Sequence, residues 1–212
     1  MFLADPIAED WYDHDIPERP EISLLRRSRL KPAARVFNLG AHQCVVAMML
    51  ANAARPGGRV VAVEASPKHA HVGEINCQAN GYDEVHILNA AVAESSGTIL
   101  FTSEGHVGTN HDEGPKFEVS CYSIDDLAQQ FGAPDVIYMD IEGCECRALT
   151  GAPKTLQGQI DWFVEVHVKT GLETFGGSAA HVLGFFPQQT YDLYVGGEND
   201  PELVPLDMHD LR

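Results

Sequence analysis

Short runs of consecutive apolar residues alternate along this chain with stretches in which apolar residues recur every three to four positions. The continuous runs read as strands: Arg35–Leu39, Val60–Glu64, His86–Ala91, Val136–Ile141 and Trp162–Val168. The periodic stretches read as helices: Glu21–Leu30, Gln43–Ala54, Pro67–Asn80, Ser123–Phe131, a helix opening at Cys144, and Ala179–Phe186. Capping chemistry supports the boundaries. Pro67 suits a first helical turn, Gly81 a C-terminal cap, and Ser123 followed by Asp125 and Asp126 a capped, acidic start. Thr98–Phe101 and Phe117–Cys121 read as a strand pair around a polar loop, and Tyr191–Val195 with Leu203–Leu206 as a closing pair.

The inner strands (VVAVEA, VIYMDI, WFVEVHV) stay apolar until their last residues. Strands buried on both faces read this way, and their alternation with helices predicts a doubly wound, mostly parallel α/β sheet. Ligands of such sheets bind outside the carboxyl ends of the strands. The polar residues at those ends are Asn38, Glu64, Asn89, Asp140, Glu142, Glu165 and His167. Five strands deliver them to one rim, and that convergence is the strongest functional signal of the pattern. Gly40 permits a sharp turn after the first strand, and Glu64 lies 20 residues beyond Cys44, near the spacing at which an acid grips ribose hydroxyls. A ligand carrying a nucleoside is therefore expected.

Composition narrows the partners. The 212 residues suit one domain, spanning 21–212 behind an irregular, Pro-containing lead-in over 1–20. With 14 basic against 31 acidic residues the net charge is −17, which disfavours nucleic acid and anionic membrane surfaces. No apolar run reaches the ~20 residues of a membrane span. The acidic N-terminus lacks an apolar core segment, and the five cysteines show neither redox-pair nor zinc spacing. The expectation is a cytoplasmic protein with reduced thiols.

Six stretches carry a family resemblance: VFNLGAH, VVAVEASPKHAHVGEINCQANG, VHILNAAVAESSGTILF, VSCYSIDDL, VIYMDIEGCECRALTGAPKTL and FVEVHV. Together they resemble the FkbM-type class I methyltransferases over residues 21–195. The resemblance implies a seven-stranded sheet, S-adenosylmethionine (SAM) as cofactor, and methyl transfer, usually to a hydroxyl oxygen of a small molecule, polyketide or glycan. It implies that Asn38, Gly40, Ala41, His42, Glu64, Ala65, Ser66, Asn89, Ala90 and Asp140 border the cofactor, Gly40 and Ala41 through their backbone donors. The acceptor end falls to Asp140, Glu165 and His167. His167 is the first choice of general base because an imidazole ordinarily titrates near neutrality, with Glu165 or Asp140 orienting or replacing it.

A variant places Mg²⁺ or Mn²⁺ between Asp140, Glu165 and His167. Glu142 and Glu145 suit a first helical turn whatever the function. The Ser103–Pro115 loop, with His106, His111 and Asp112, reads equally as a lid over substrate or as a flexible hairpin loop, and Thr170–Ser178 as a substrate wall. The first loop departs from the family, which usually carries Asp at the position of Asn38 and Gly at that of Cys44. A charge lost at contact distance is worth on the order of 1–4 kcal/mol. A binding or scaffold protein without turnover is the alternative these two residues raise; a nicotinamide oxidoreductase is disfavoured by one loop glycine instead of three.

Overall fold

The computed structural model describes residues 1–6, 8, 19–102, 116–197 and 200–206. The lid expectation for His106, His111 and Asp112 lies outside the described residues.

Five parallel strands form the central sheet: β1 (Arg35–Leu39), β2 (Arg59–Glu64), β3 (Val85–Asn89), β7 (Val136–Met139) and β8 (Asp161–Val164), in the order β3-β2-β1-β7-β8. β1 runs in register with β2 on one side (Asn38 opposite Ala62) and β7 on the other (Asn38 opposite Tyr138). The order reverses at β1. The crevice for a ligand in a doubly wound sheet is therefore beside the carboxyl end of β1.

Alternate residues of each strand serve two cores. Phe37, Leu39, Ile137 and Met139 pack with helices α4 (Ile124–Phe131), α5 (Glu145–Thr150) and α6 (Ala179–Gly184). Val36, Val60, Ala62 and Tyr138 pack with α1 (Pro20–Arg27), α2 (Val45–Ala54) and α3 (Pro67–Ala79). The inner strands β1, β2 and β7 are thus covered on both faces, which explains their largely apolar runs.

The strand count differs from the seven expected. β4 (Ala91–Val92), β5 (Gly97–Thr102) and β6 (Lys116–Tyr122) form a separate sheet, order β4-β6-β5, with its own small core around Phe101, Val119 and Cys121. The closing pair makes only a two-residue antiparallel ribbon, β9 (Tyr194–Val195) with β10 (Val204–Pro205). Its side chains are exposed, and Pro205 has no amide to extend a ladder. Two strands end earlier than expected. β7 stops at Met139, and β8 stops at Val164, after which Val168 N–H turns back onto the Val166 carbonyl. Asp140, Glu165 and His167 consequently sit on loops just beyond the sheet.

Met1–Asp5 is docked rather than loose. Phe2 N–H donates to Asn76 Oδ1 (2.6 Å) and the Asn76 amide returns a bond to the Phe2 carbonyl (3.0 Å). Ala4 N–H donates to Gln43 Oε1 (2.7 Å). Asn76 and Gln43 are fully buried, so two core amides from the α2 and α3 region hold this segment. The five cysteines are buried and unpaired. No helix among the described residues is long and apolar enough to cross a membrane.

Candidate active site

The turn after β1 is set by close packing. Gly40 has φ +83°, and a Cβ there would lie 1.7 Å from the Asp140 carbonyl oxygen. Only glycine fits. Its N–H and that of Ala41 both donate to the Val63 carbonyl (2.9 and 3.0 Å). These amides, expected to face a cofactor, instead lock the β1 loop to β2, because the turn brings both within reach of the same strand end. His42 and Cys44 follow with φ +47° and +67°. Left-handed residues that are not glycine cost about 1–2 kcal/mol each, and such strain gathers at functional sites.

Glu64 is buried. Its Oε2 accepts from His42 N–H (2.8 Å) and its Oε1 from Ser66 N–H (2.7 Å). Burial pushes its carboxyl up; the Ser66 and His42 bonds oppose that. Ser66 also caps α3, accepting from His69 N–H. Asn89 donates to the Glu64 and Ala65 carbonyls (2.8 and 3.1 Å), and Ala90 N–H donates to Glu64 O (3.0 Å). These two residues, expected to border the cofactor, thus tie the ends of β2 and β3 together. Asn38 stands apart. It is 1% exposed, and neither Nδ2 nor Oδ1 has a hydrogen-bond partner. A buried amide left unsatisfied costs about 1–3 kcal/mol and marks a place where a polar ligand would be held.

Cys44 does not crowd this crevice. Its side chain is fully buried between α2 and α3, beside Cys77. Gly73 supplies the room: a Cβ at that position would meet Cys44 Sγ at 2.6 Å. The side chain gained in the loop is matched by one absent from the facing helix.

At the other end of the rim, His167 is surrounded by carboxylates. Its Nδ1 is 2.8 Å from Glu145 Oε1. Its Nε2 lies 3.4 Å from Glu142 Oε2, 3.5 Å from Asp140 Oδ1 and 4.0 Å from Glu165 Oε1. Glu145 is fully buried; Oε1 also accepts from Gly143 N–H (2.9 Å), and Oε2 has no partner. Glu142 (φ +52°) and Gly143 (φ +96°) give this loop its own left-handed pair. Gly143 must be glycine, since a Cβ would come within 2.5 Å of the Gly171 backbone. The expected substrate wall therefore packs directly on the loop that carries Glu142.

The sequence matches the model of the methyltransferase FkbM domain over residues 38–193. That span covers most of the chain. The chain belongs to the FkbM methyltransferase domain family. The fold agrees. It is similar to a crystal structure of methyltransferase FkbM from Methylobacillus flagellatus KT (TM-score 0.56, 18% identity, 87% of this chain and 45% of that one). It is also similar to a SAM-dependent O-methyltransferase from Thermotoga maritima (TM-score 0.52, 14% identity, 95% of this chain and 65% of that one), and to a precorrin-6y C5,15-methyltransferase from Geobacter metallireducens GS-15 (TM-score 0.50, 13% identity, 86% and 80%). The chain thus spans about half the length of the first structure and less than two thirds of the second. No curated protein matches the sequence.

In this FkbM domain the electrostatics bear on the choice of general base. Burial pulls the His167 imidazole down, but the Glu145 hydrogen bond and the charges of Glu142, Glu145 and Asp140 outweigh it and hold the ring at about 9. A ring held there favours the imidazolium at neutral pH. Asp140 moves the other way. Burial, then the charges of Glu165 and Glu142, push its carboxyl up to about 7, against the charges of His167 and Arg19. The group poised near neutrality is the aspartate. Glu145, whose sequence position suits a helix dipole, proves to be the closest partner of His167; only its pairing across 22 residues reveals that. The ligand atoms of Asp140, Glu165 and His167 lie within 4.8 Å of one another, as the divalent-ion variant requires.

Proposed function

We propose that the FkbM domain is a SAM-dependent O-methyltransferase whose general base is Asp140. The observation that carries this reading is the convergence of Asp140, Glu142, Glu145 and Glu165 on the protonated His167, one strand from the orphaned Asn38 amide. The adenosyl end of SAM falls to Glu64, with Ser66 and Asn89 at its border, and the amino-acid end to Asn38. β2 and β7 are two strand spacings apart, roughly 10 Å, a span suited to an extended nucleoside cofactor. The group fits this chain: a buried acid at the β2 end and an unsatisfied buried amide at the β1 end are what a ligand with ribose hydroxyls and an ammonium requires. SAM supplies an activated methyl group when bound.

The chain's own residues do the rest. They hold the acceptor oxygen in line, an alignment worth up to roughly 7–11 kcal/mol. Asp140 takes the hydroxyl proton, its carboxyl raised into the range where it is ionised often enough and basic enough at neutral pH. His167, 3.5 Å away, stays charged and stabilises the oxyanion that develops as the proton leaves. Glu145 positions His167 and, through Gly143 N–H, the loop beside it.

The acceptor expected is a hydroxyl of a small molecule or glycan. The acidic rim and the net charge of −17 disfavour an anionic polymer. The test is transfer of labelled methyl from SAM to a panel of hydroxylated acceptors, with and without EDTA. Transfer that survives EDTA supports a metal-free base; transfer abolished by EDTA and restored by Mg²⁺ assigns the deprotonation to an ion at Asp140, Glu165 and His167. A second reading, binding without turnover, is motivated by the neutral Asn38. Tight SAM binding with no transfer to any acceptor would favour it.

A further inference from the structure

We propose that Asp5, His42 and His69 form a site for a divalent transition-metal ion, apart from the cluster around His167, that clamps the N-terminal segment onto the β1–α2 loop. Asp5 Oδ2 lies 2.9 Å from His42 Nε2 and 3.1 Å from His69 Nε2, and the three donor atoms are all within 4.8 Å of one another. The two imidazole rings meet edge to face with centroids 4.2 Å apart. Each side chain is about one-fifth exposed, so the group is neither a solvated surface triad nor sealed from entry.

The donors are held in place from three elements. Asp5 Oδ1 accepts from Ala8 N–H (2.9 Å), which leaves Oδ2 as the oxygen turned to the histidines. The segment carrying Asp5 is fixed by the buried amides of Gln43 and Asn76. His42 owes its direction to a left-handed backbone conformation (φ +47°) and to the bond from its N–H to Glu64. His69 stands in the first turn of α3, its Nδ1 3.9 Å from Glu64 Oε1. A ligating imidazole ordinarily gives its other ring N–H to a carboxylate, and Glu64 is within a small movement of that role.

The chemistry selects the ion. Two imidazoles and one carboxylate suit Zn²⁺, Co²⁺, Ni²⁺ or Fe²⁺, whereas Mg²⁺ and Ca²⁺ prefer oxygen throughout. Ligands at 2.0–2.1 Å in a tetrahedron stand about 3.3 Å apart. The Asp5 oxygen needs to retreat from each ring nitrogen by only a few tenths of an ångström. Three protein ligands leave one position for water. The consequence is structural: the ion would join residue 5 to the loop and helix that frame Glu64.

The experiment is titration of untagged, metal-stripped protein with Co²⁺, followed by its visible d–d absorption, and with Zn²⁺ by calorimetry. One ion per chain is expected, displaced from the cobalt form by Zn²⁺. His69→Ala and the near-isosteric Asp5→Asn should each weaken binding at least tenfold, with circular dichroism in chelator reporting that both variants fold. His71→Ala, on the exposed face of α3, and His167→Gln should bind as the parent does. Absence of saturable binding at 1 mM Zn²⁺ (roughly the weak limit for a specific site), unchanged affinity in His69→Ala and Asp5→Asn, or loss confined to His167→Gln would each overturn the proposal.

Discussion

Around Glu64 the polar side chains are partnered mainly by backbone atoms, whereas around His167 they are partnered by one another. The Glu64 carboxylate takes the His42 and Ser66 amides, and Asn89 takes two carbonyls. These bonds fix a shape. At the other end one imidazole faces four carboxylates within 4.0 Å, and its protonation state is set by charges that could be altered one at a time. The first region is fixed mainly by bonds to backbone; the second gathers titratable side chains around one ring.

The comparison breaks most visibly at Asp140. Asp140→Asn removes the group poised near 7 and is expected to lower methyl transfer by about 10²- to 10⁴-fold, measured as initial rates with labelled SAM. A variant with parental rates would move the base elsewhere. Next in size is Gly40→Ala. Its Cβ would collide with the Asp140 carbonyl, and a loss of roughly 2–4 kcal/mol is expected in urea unfolding, since both strained φ and overpacking contribute.

A smaller effect separates the two regions by pH. His167 holds its proton to about 9 in the folded chain against an ordinary 6.5, so its contribution to stability is complete below about 6.5 and is lost as pH rises through 9. Asp140, raised to about 7 from 3.8, acts with the same sign over a lower window, from about 4 to 7. Tm should therefore fall by a few degrees between pH 6.5 and 9, and His167→Gln should flatten that decline. A parental slope in the variant would show that the carboxylates do not hold the ring charged. The smallest effect is expected at Cys44. Cys44→Gly relieves a left-handed φ but empties the contact with Gly73 and Cys77, and the opposing changes should leave stability within about 1 kcal/mol.

The contrast also explains what the sequence made legible. Apolar runs ending in polar residues placed the central strands and the rim, most sharply at β1, β2 and β7, where burial on both faces leaves that trace. Glu64 and Asn38 were visible as strand-end residues. The roles of the Gly40 and Ala41 amides were not, since a backbone donor's partner depends on the turn and not on the residue type. The protonation of His167 was hidden for a related reason. An unperturbed imidazole titrates near neutrality, and only the folded loops show Glu142, Glu145 and Asp140 gathered round it. Gln43, Asn76 and Asp5 carried no periodic signal; their positions follow from docking of the N-terminal segment. Cys44 stood out only as a departure from the family pattern; its partner Gly73 lies 29 residues on and is found only by folding.

The central claim is that the crevice between Glu64 and Asp140 holds SAM. Calorimetric titration of the parent chain and of Glu64→Gln with SAM tests it directly. Saturable binding in the micromolar range, weakened about tenfold or more in Glu64→Gln, is the predicted result; no binding to the parent chain at millimolar SAM would contradict the account.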